Sequence, residues 1–204
     1  MKITKVTEDA VATLLDDLLK RSPNNYTGYA DKVQAIIDDV RERGDEALFE
    51  MTKRFDGADL NADNIRVTQA EIDEAYTLVD ASLIEVIRKA MTNIRVYHEK
   101  QRQYGWFDTT PDGTILGQKV TPLQSTGVYV PGGKAAYPSS VLMNVIPAKV
   151  AGVEKIVMVT PPGKDGKVNP GTLVAANESG ADEIYKVGGA QAIAALAFGY
   201  SFCS

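Results

Sequence analysis

The chain has 204 residues, with 22 basic and 27 acidic side chains for a net charge of −5, and 44% of its residues are hydrophobic. That composition excludes global disorder and suits a globular chain holding one domain, or one domain and part of another. No basic cluster appears, so nucleic acid is not an expected partner. No apolar run approaches the ~20 residues that cross a membrane.

Residues 1 to about 105 read as helical and charged. Glu8 and Asp9 stand where a signal peptide would need an apolar core, so a cytoplasmic location is the default expectation. Val33, Ile36, Ile37 and Val40 recur at helical spacing before a stop at Gly44. Ala47, Leu48, Met51 and Phe55 predict a second helix that ends near Gly57. Thr68 with Glu71 makes a capping-box pattern ahead of Ile72, Ala75, Tyr76 and Val79. Leu83, Val86, Ile87, Ala90, Ile94 and Tyr97 give a long fourth helix. Each helix has one apolar face and needs a partner surface. The helices of residues 25–105 are expected to lack much of their partner sheet, which would leave apolar surface exposed and the isolated chain marginally stable or prone to aggregate.

From residue 114 the texture changes. Ile115–Val120 and Val128–Val130 read as strands. Ser139 or Ser140 is a candidate cap for a helix running to Lys149, and Gly152 supplies a left-handed stop. Ile156–Thr160 is short, apolar and β-branched, as a strand buried on both faces should be. A helix from about Pro170 to Gly180, a strand at Ile184–Val187 and a helix at Ala190–Phe198 follow. AKVAGVEKIVMVTPP resembles AANESGADEIYKVGG, with Gly152 matching Gly180, and that spacing is the length of one βα unit. The fold class is therefore α/β. A helical part, residues 1–110, precedes a parallel βαβαβα unit, residues 111–204, with right-handed crossovers expected.

Ligands of open parallel sheets bind beyond the carboxyl ends of the strands. That rule selects three loops: Tyr129–Gly133, Thr160–Gly163 and Val187–Gly189. Two carry glycine pairs, Gly132-Gly133 and Gly188-Gly189, each ahead of a helix N-terminus suited to anionic or carbonyl-bearing groups. Glycine pairs also serve as plain turns, and no G-x-G-x-x-G fingerprint is present.

The wording of these loops is more specific. LGQKVTPL (116–123), GVYVPGGKAAYPSSVLMNVIPAKVAGV (127–153), IVMVTPP (156–162) and EIYKVGGAQAIAALAFG (183–199) closely resemble the histidinol dehydrogenase family. RGDEAL (43–48), TKRFDG (52–57) and the spacing of Ile94, Tyr97, His98 and Gln101 fit more loosely. The resemblance implies an incomplete Rossmann-like cofactor unit in an aldehyde-dehydrogenase-like architecture, and a homodimer. It also implies zinc- and NAD-dependent oxidation of L-histidinol to L-histidine through the aldehyde, with two hydrides passing in turn to two NAD molecules.

Carried over by motif, the NAD contacts are Tyr129 and Gln191, with Pro131, Gly132, Gly133, Gly188 and Gly189 shaping the pocket. The family's third NAD contact, its zinc ligands and its Glu-His proton-transfer pair fall after the point where this sequence departs, at Gly199. The resemblance therefore implies a truncated member with no catalytic or metal-binding residue among these 204, and no histidinol turnover by them alone.

By itself Gln191 is a surface polar residue in the first turn of a helix. Lys134 and Tyr137 belong on an exposed loop. His98, the one histidine, lies beside an apolar stripe without ligand partners nearby. Cys203, the one cysteine, cannot form an internal disulfide, which fits a reducing compartment. An aldehyde-dehydrogenase-like enzyme would need a catalytic cysteine before residue 203. A TIM barrel needs ~250 residues. A non-catalytic module that keeps NAD binding or pairs with another subunit is the alternative to an enzyme fragment.

Overall fold

The structure is a computed structural model that describes Thr7, Asp9, Val11, residues 27–132 and residues 136–199. Gly133, Lys134 and Cys203 lie outside the described residues.

Four helices come first: α1 (Thr27–Arg43), α2 (Asp45–Phe55), α3 (Gln69–Leu78) and α4 (Ala81–Glu99). The predicted capping box is present. The Thr68 hydroxyl accepts from the Glu71 N–H, and the Glu71 carboxylate accepts from the Thr68 N–H at 2.8 Å. A short antiparallel hairpin follows, β1 (Trp106–Thr109) and β2 (Ile115–Gln118). The remainder alternates as β3 (Ser125–Tyr129), α5 (Pro138–Ala151), β4 (Lys155–Thr160), α6 (Pro170–Ser179), β5 (Glu183–Lys186) and α7 (Gly189–Phe198). The sheet order is β3-β4-β5, and both pairings are parallel.

Strand alternation assigns the core to two faces. Ile156, Met158 and Ile184 join Val141, Val145, Leu173 and Val174 of α5 and α6 on one side. Val157, Val159 and Tyr185 join Val40, Leu48, Met51 and Ala195 of α1, α2 and α7 on the other. The two stop glycines both work as expected. Gly152 (φ 89°) and Gly180 (φ 88°) are left-handed, and their N–H groups bond back to the last turn of α5 and of α6.

The early helices do find partners. α4 packs on α5 and α6, and α3 packs on α6, so that face carries two helical layers. Residues 65–67 cover the outer edge of β5. The Val67 N–H donates to the Ile184 carbonyl, and the Lys186 N–H donates to that of Ile65, both at 2.9 Å. Apolar side chains nevertheless remain exposed, among them Val86 and Tyr97 of α4 and Trp106, Phe107, Ile115 and Leu116 of the hairpin.

Two local expectations change. Neither Ser139 nor Ser140 caps α5. Tyr137 is the N-cap residue and makes no side-chain cap bond, because Pro138, with φ already fixed, starts the helix and moves both serines into its first turn. The strand predicted at Ile115–Val120 exists, but it pairs with β1 rather than joining the parallel sheet.

A candidate cofactor site at the carboxyl ends of the strands

All three parallel strands end on one side of the sheet, so the three loops selected from the sequence meet there. Pro161, after the central strand, lies between the other two. A Cβ on Gly132 would stand 2.9 Å from Pro161 Cγ, and one on Gly188 would stand 2.6 Å from Pro161 Cβ. Both positions need glycine for close approach, which no local turn signal would have required. Gly189 is left-handed, with φ 67°.

Tyr129 ends β3, half-buried, and its hydroxyl accepts the Gly189 N–H at 3.4 Å. This contact spans the two outer loops across β4. Gln191 is 1% exposed, so the expectation of a surface residue is corrected. Its carboxamide folds back beside Gly189, where a Cβ would come within 3.0 Å of Gln191 Cδ. The left-handed turn at Gly189 creates that space, so the amide lies under the loop rather than in solvent. Pro131 and Gly132 are exposed on the β3 side.

The helix termini differ in a way the sequence did not reveal. α6 is closed, because the Asn169 carboxamide oxygen accepts from the N–H groups of Gly171 at 2.9 Å and Thr172 at 3.4 Å. α5 and α7, which follow the two glycine pairs, have no side-chain cap. Their positive dipole ends lie above the sheet edge, although Pro138 carries no N–H, Ser140 donates to the Tyr137 carbonyl at 3.0 Å and Gly189 donates to the Tyr129 hydroxyl at 3.4 Å.

A buried ion pair supports this edge from below. Lys186, the last residue of β5, is 5% exposed and places its ammonium 2.5 Å from Glu71. Burial pushes the Glu71 carboxyl upward. The Lys186 ammonium and the Thr68 N–H outweigh burial and hold it below its ordinary value. Sequence reading found Glu71 as a capping residue but not as the partner of Lys186.

His98 is half-buried on α4, with Nδ1 2.7 Å from the Gln101 side-chain oxygen and its ring edge-on to Tyr97. Among the described residues no three His, Cys, Asp or Glu side chains form a group able to hold a metal ion. No described helix is long and apolar enough to cross a membrane.

The family model for histidinol dehydrogenase matches residues 19–204, most of the chain. The chain belongs to the histidinol dehydrogenase family. It is 60% identical over 182 residues to the histidinol dehydrogenase of Bacillus subtilis, covering 89% of this chain and 42% of that one. The enzyme of Heliobacterium mobile is 55% identical over 184 residues, covering 90% and 43%. The crystal structure of histidinol dehydrogenase from Elizabethkingia anophelis superposes with a TM-score of 0.80 at 34% identity, covering all of this chain and 42% of that one. The fold and the family thus agree, and the chain spans about two fifths of the length of these histidinol dehydrogenases.

Proposed function

We propose that these residues form one part of the NAD site of a histidinol dehydrogenase. The whole protein would be a cytoplasmic enzyme of histidine biosynthesis that oxidises L-histidinol to L-histidine. NAD held there would supply the hydride acceptor for both oxidations. The observation that carries this reading is the contrast among the three helix termini. The two helices behind glycine pairs carry no side-chain cap, so their positive ends suit an anionic pyrophosphate, whereas Asn169 caps the one behind Pro161. Tyr129 joins the open loops, and Gln191 supports the turn that brings Gly189 to the Tyr129 hydroxyl. Pro131, Gly132 and Gly188 are proposed to complete the rim, and Gly133, outside the described residues, is carried over by motif alone. The division into residues 1–110 and 111–204 belongs to the same reading.

His98 is paired with the neutral Gln101, and no zinc ligand is proposed among these residues. Zinc binding, the proton transfers and histidinol recognition are proposed to lie in the rest of the family's length, outside the two fifths that these residues match. These 204 residues are therefore proposed to bind NAD without oxidising histidinol. Calorimetric titration with NAD tests this. Binding that weakens about tenfold or more in Y129A and Q191A supports the reading, given ~1–2 kcal/mol for the hydrogen bonds lost at Tyr129 or in the turn that Gln191 supports. Binding indifferent to both residues, or histidinol oxidation by the chain alone, overturns it.

The hairpin favours a second role. All eight residues of β1 and β2 are exposed, with Trp106 and Phe107 on opposite faces and Phe107 lying over Gly117. A lone two-stranded ribbon is marginal in water. Each face carries an aromatic and an aliphatic side chain, Trp106 with Leu116 and Phe107 with Ile115, which suits pairing with a second subunit in a homodimer.

A further inference from the structure

We infer that Asp56–Gly57, at the C-terminus of α2, is a site of spontaneous backbone modification, where the aspartate closes to a succinimide and reopens as isoaspartate. The chain has three Asp-Gly dipeptides: Asp56–Gly57, Asp112–Gly113 and Asp165–Gly166. Glycine has no side chain to shield its nitrogen from the preceding carboxyl, so by sequence the three are equal. All three glycines are left-handed, with φ 73°, 85° and 73°, so their own conformation does not separate them. Hydrogen bonding does.

In two of the dipeptides both reacting groups are held. The Gly113 N–H donates to the Thr110 carbonyl at 2.9 Å. Asp112 Oδ1 accepts from the Thr110 hydroxyl and from the Thr114 N–H at 3.1 Å. These donors keep the Asp112 carboxyl below its ordinary value, as the carboxylate, which is the poorer electrophile. The Gly166 N–H donates to the Gly163 carbonyl at 2.9 Å, and Asp165 Oδ1 accepts the Lys167 N–H at 3.1 Å.

Asp56–Gly57 is tied at neither group. The Asp56 N–H closes α2 on the Thr52 carbonyl at 2.9 Å. Beyond it, no described residue accepts the Gly57 N–H or donates to the Asp56 carbonyl. Asp56 Oδ2 is buried with no hydrogen-bond partner among the described residues, and the buried Thr52 hydroxyl one turn earlier has none either. Burial holds the Asp56 carboxyl above its ordinary value, which favours the neutral acid that can release its hydroxyl as water. Asp56 itself has φ −100° and ψ −16°, so ring closure needs the peptide plane between the two residues to rotate. That plane carries no hydrogen bond, so the rotation breaks none, and Gly57 adopts the new φ without a Cβ clash.

In the first step the Gly57 nitrogen attacks Asp56 Cγ. The new C–N bond forms, the bond from Cγ to the carboxyl hydroxyl breaks, and the amide proton leaves with that oxygen as water. Water then opens the five-membered ring. Cleavage at Cγ restores aspartate, and cleavage at the main-chain carbonyl leaves isoaspartate, with no net change in atoms or electrons. The product adds one methylene to the main chain. Gly57 stands against the Lys164 stem, where a Cβ would lie 3.5 Å from Cγ, and Ala58 and Leu60 just after it are buried. The longer link loosens the anchorage of α2 beside the turn at 163–167.

The test ages the 204-residue chain at neutral pH and physiological temperature, native and unfolded in guanidinium chloride. Isoaspartate is located by peptide mapping with electron-transfer fragmentation. In the native chain Asp56, in the tryptic peptide of residues 55–66, is expected to isomerise about fivefold faster than Asp112 or Asp165, the factor for one hydrogen bond broken on the way to the ring. In the unfolded chain the preference should vanish, because the bonds that protect the other two are gone. D56E cannot close a five-membered ring and should abolish the signal at this position while leaving the other two unchanged. D56N reaches the same succinimide by losing ammonia, so its deamidation in the native chain checks the freedom of the peptide plane apart from the carboxyl proton. Native isomerisation led by Asp112 or Asp165, or the same ranking in native and unfolded chains, overturns the inference. So does a native D56N chain that stays intact while its unfolded form deamidates.

Discussion

Glu71→Gln tests the joint between the helical segment and the sheet. Lys186 is 5% exposed, and its ammonium sits 2.5 Å from the Glu71 carboxylate. The Glu71 side chain is 21% exposed, so solvent softens one end of the pair. Breaking a fully buried pair by removing one charge costs about 3–5 kcal/mol, because the remaining charge is stranded. Discounting for the exposure of Glu71 gives about 2–4 kcal/mol for E71Q, since Gln still accepts the Thr68 N–H and preserves the cap. K186M strands instead the partly exposed carboxylate, which retains the Thr68 N–H at 2.8 Å, so about 1–2 kcal/mol is expected. The double variant removes both charges and should be more stable than E71Q.

Urea unfolding followed by circular dichroism at pH 7 reads all three values, with an unchanged slope as the check on comparability. The pH dependence has a definite sign. The folded carboxyl lies below its ordinary value of 4.5. Its stabilisation is therefore complete above that value and is lost as pH falls through the lower folded pKa. E71Q should lose less stability than the parent over that acid interval. An E71Q chain within ~0.5 kcal/mol of the parent at pH 7, or a double variant less stable than E71Q, would refute the reasoning.

Gly188→Ala would place a Cβ 2.6 Å from Pro161, so a loss of about 1–3 kcal/mol in unfolding free energy is expected, together with weaker NAD binding. An unchanged thermal midpoint would show that the loop has room the structure denies. Trp106→Ser with Phe107→Ser removes exposed side chains, 57% and 69% accessible, and should shift unfolding by no more than ~0.5 kcal/mol while reducing self-association in sedimentation velocity. A monomeric parent chain, or a dimer unaffected by the double change, counts against the hairpin as a pairing surface.

Much of the parallel unit was legible because its signals are local. Gly152 and Gly180 stop their helices through backbone conformation, and the run Ile156–Thr160 needs no distant partner to be read as a buried strand. The hairpin's first strand went unread because Trp106–Thr109 is short and half polar. Its signal was the turn at Thr110–Gly113, where Asp112 accepts from the Thr114 N–H at 3.1 Å and Gly113 is left-handed with φ 85°.

At the site, strand order and glycine pairs marked the loops, and motif resemblance marked Tyr129 and Gln191. Sequence by itself determined the α/β class, the family and which strand ends carry the candidate site. The tertiary structure decided that Gln191 faces inward, that Lys186 meets Glu71 across 115 positions of chain, and that Pro161 is held between Gly132 and Gly188. Backbone propensity and hydrophobic period act over a few residues. Burial, ion pairing and close approach depend on which segments the folded chain brings together.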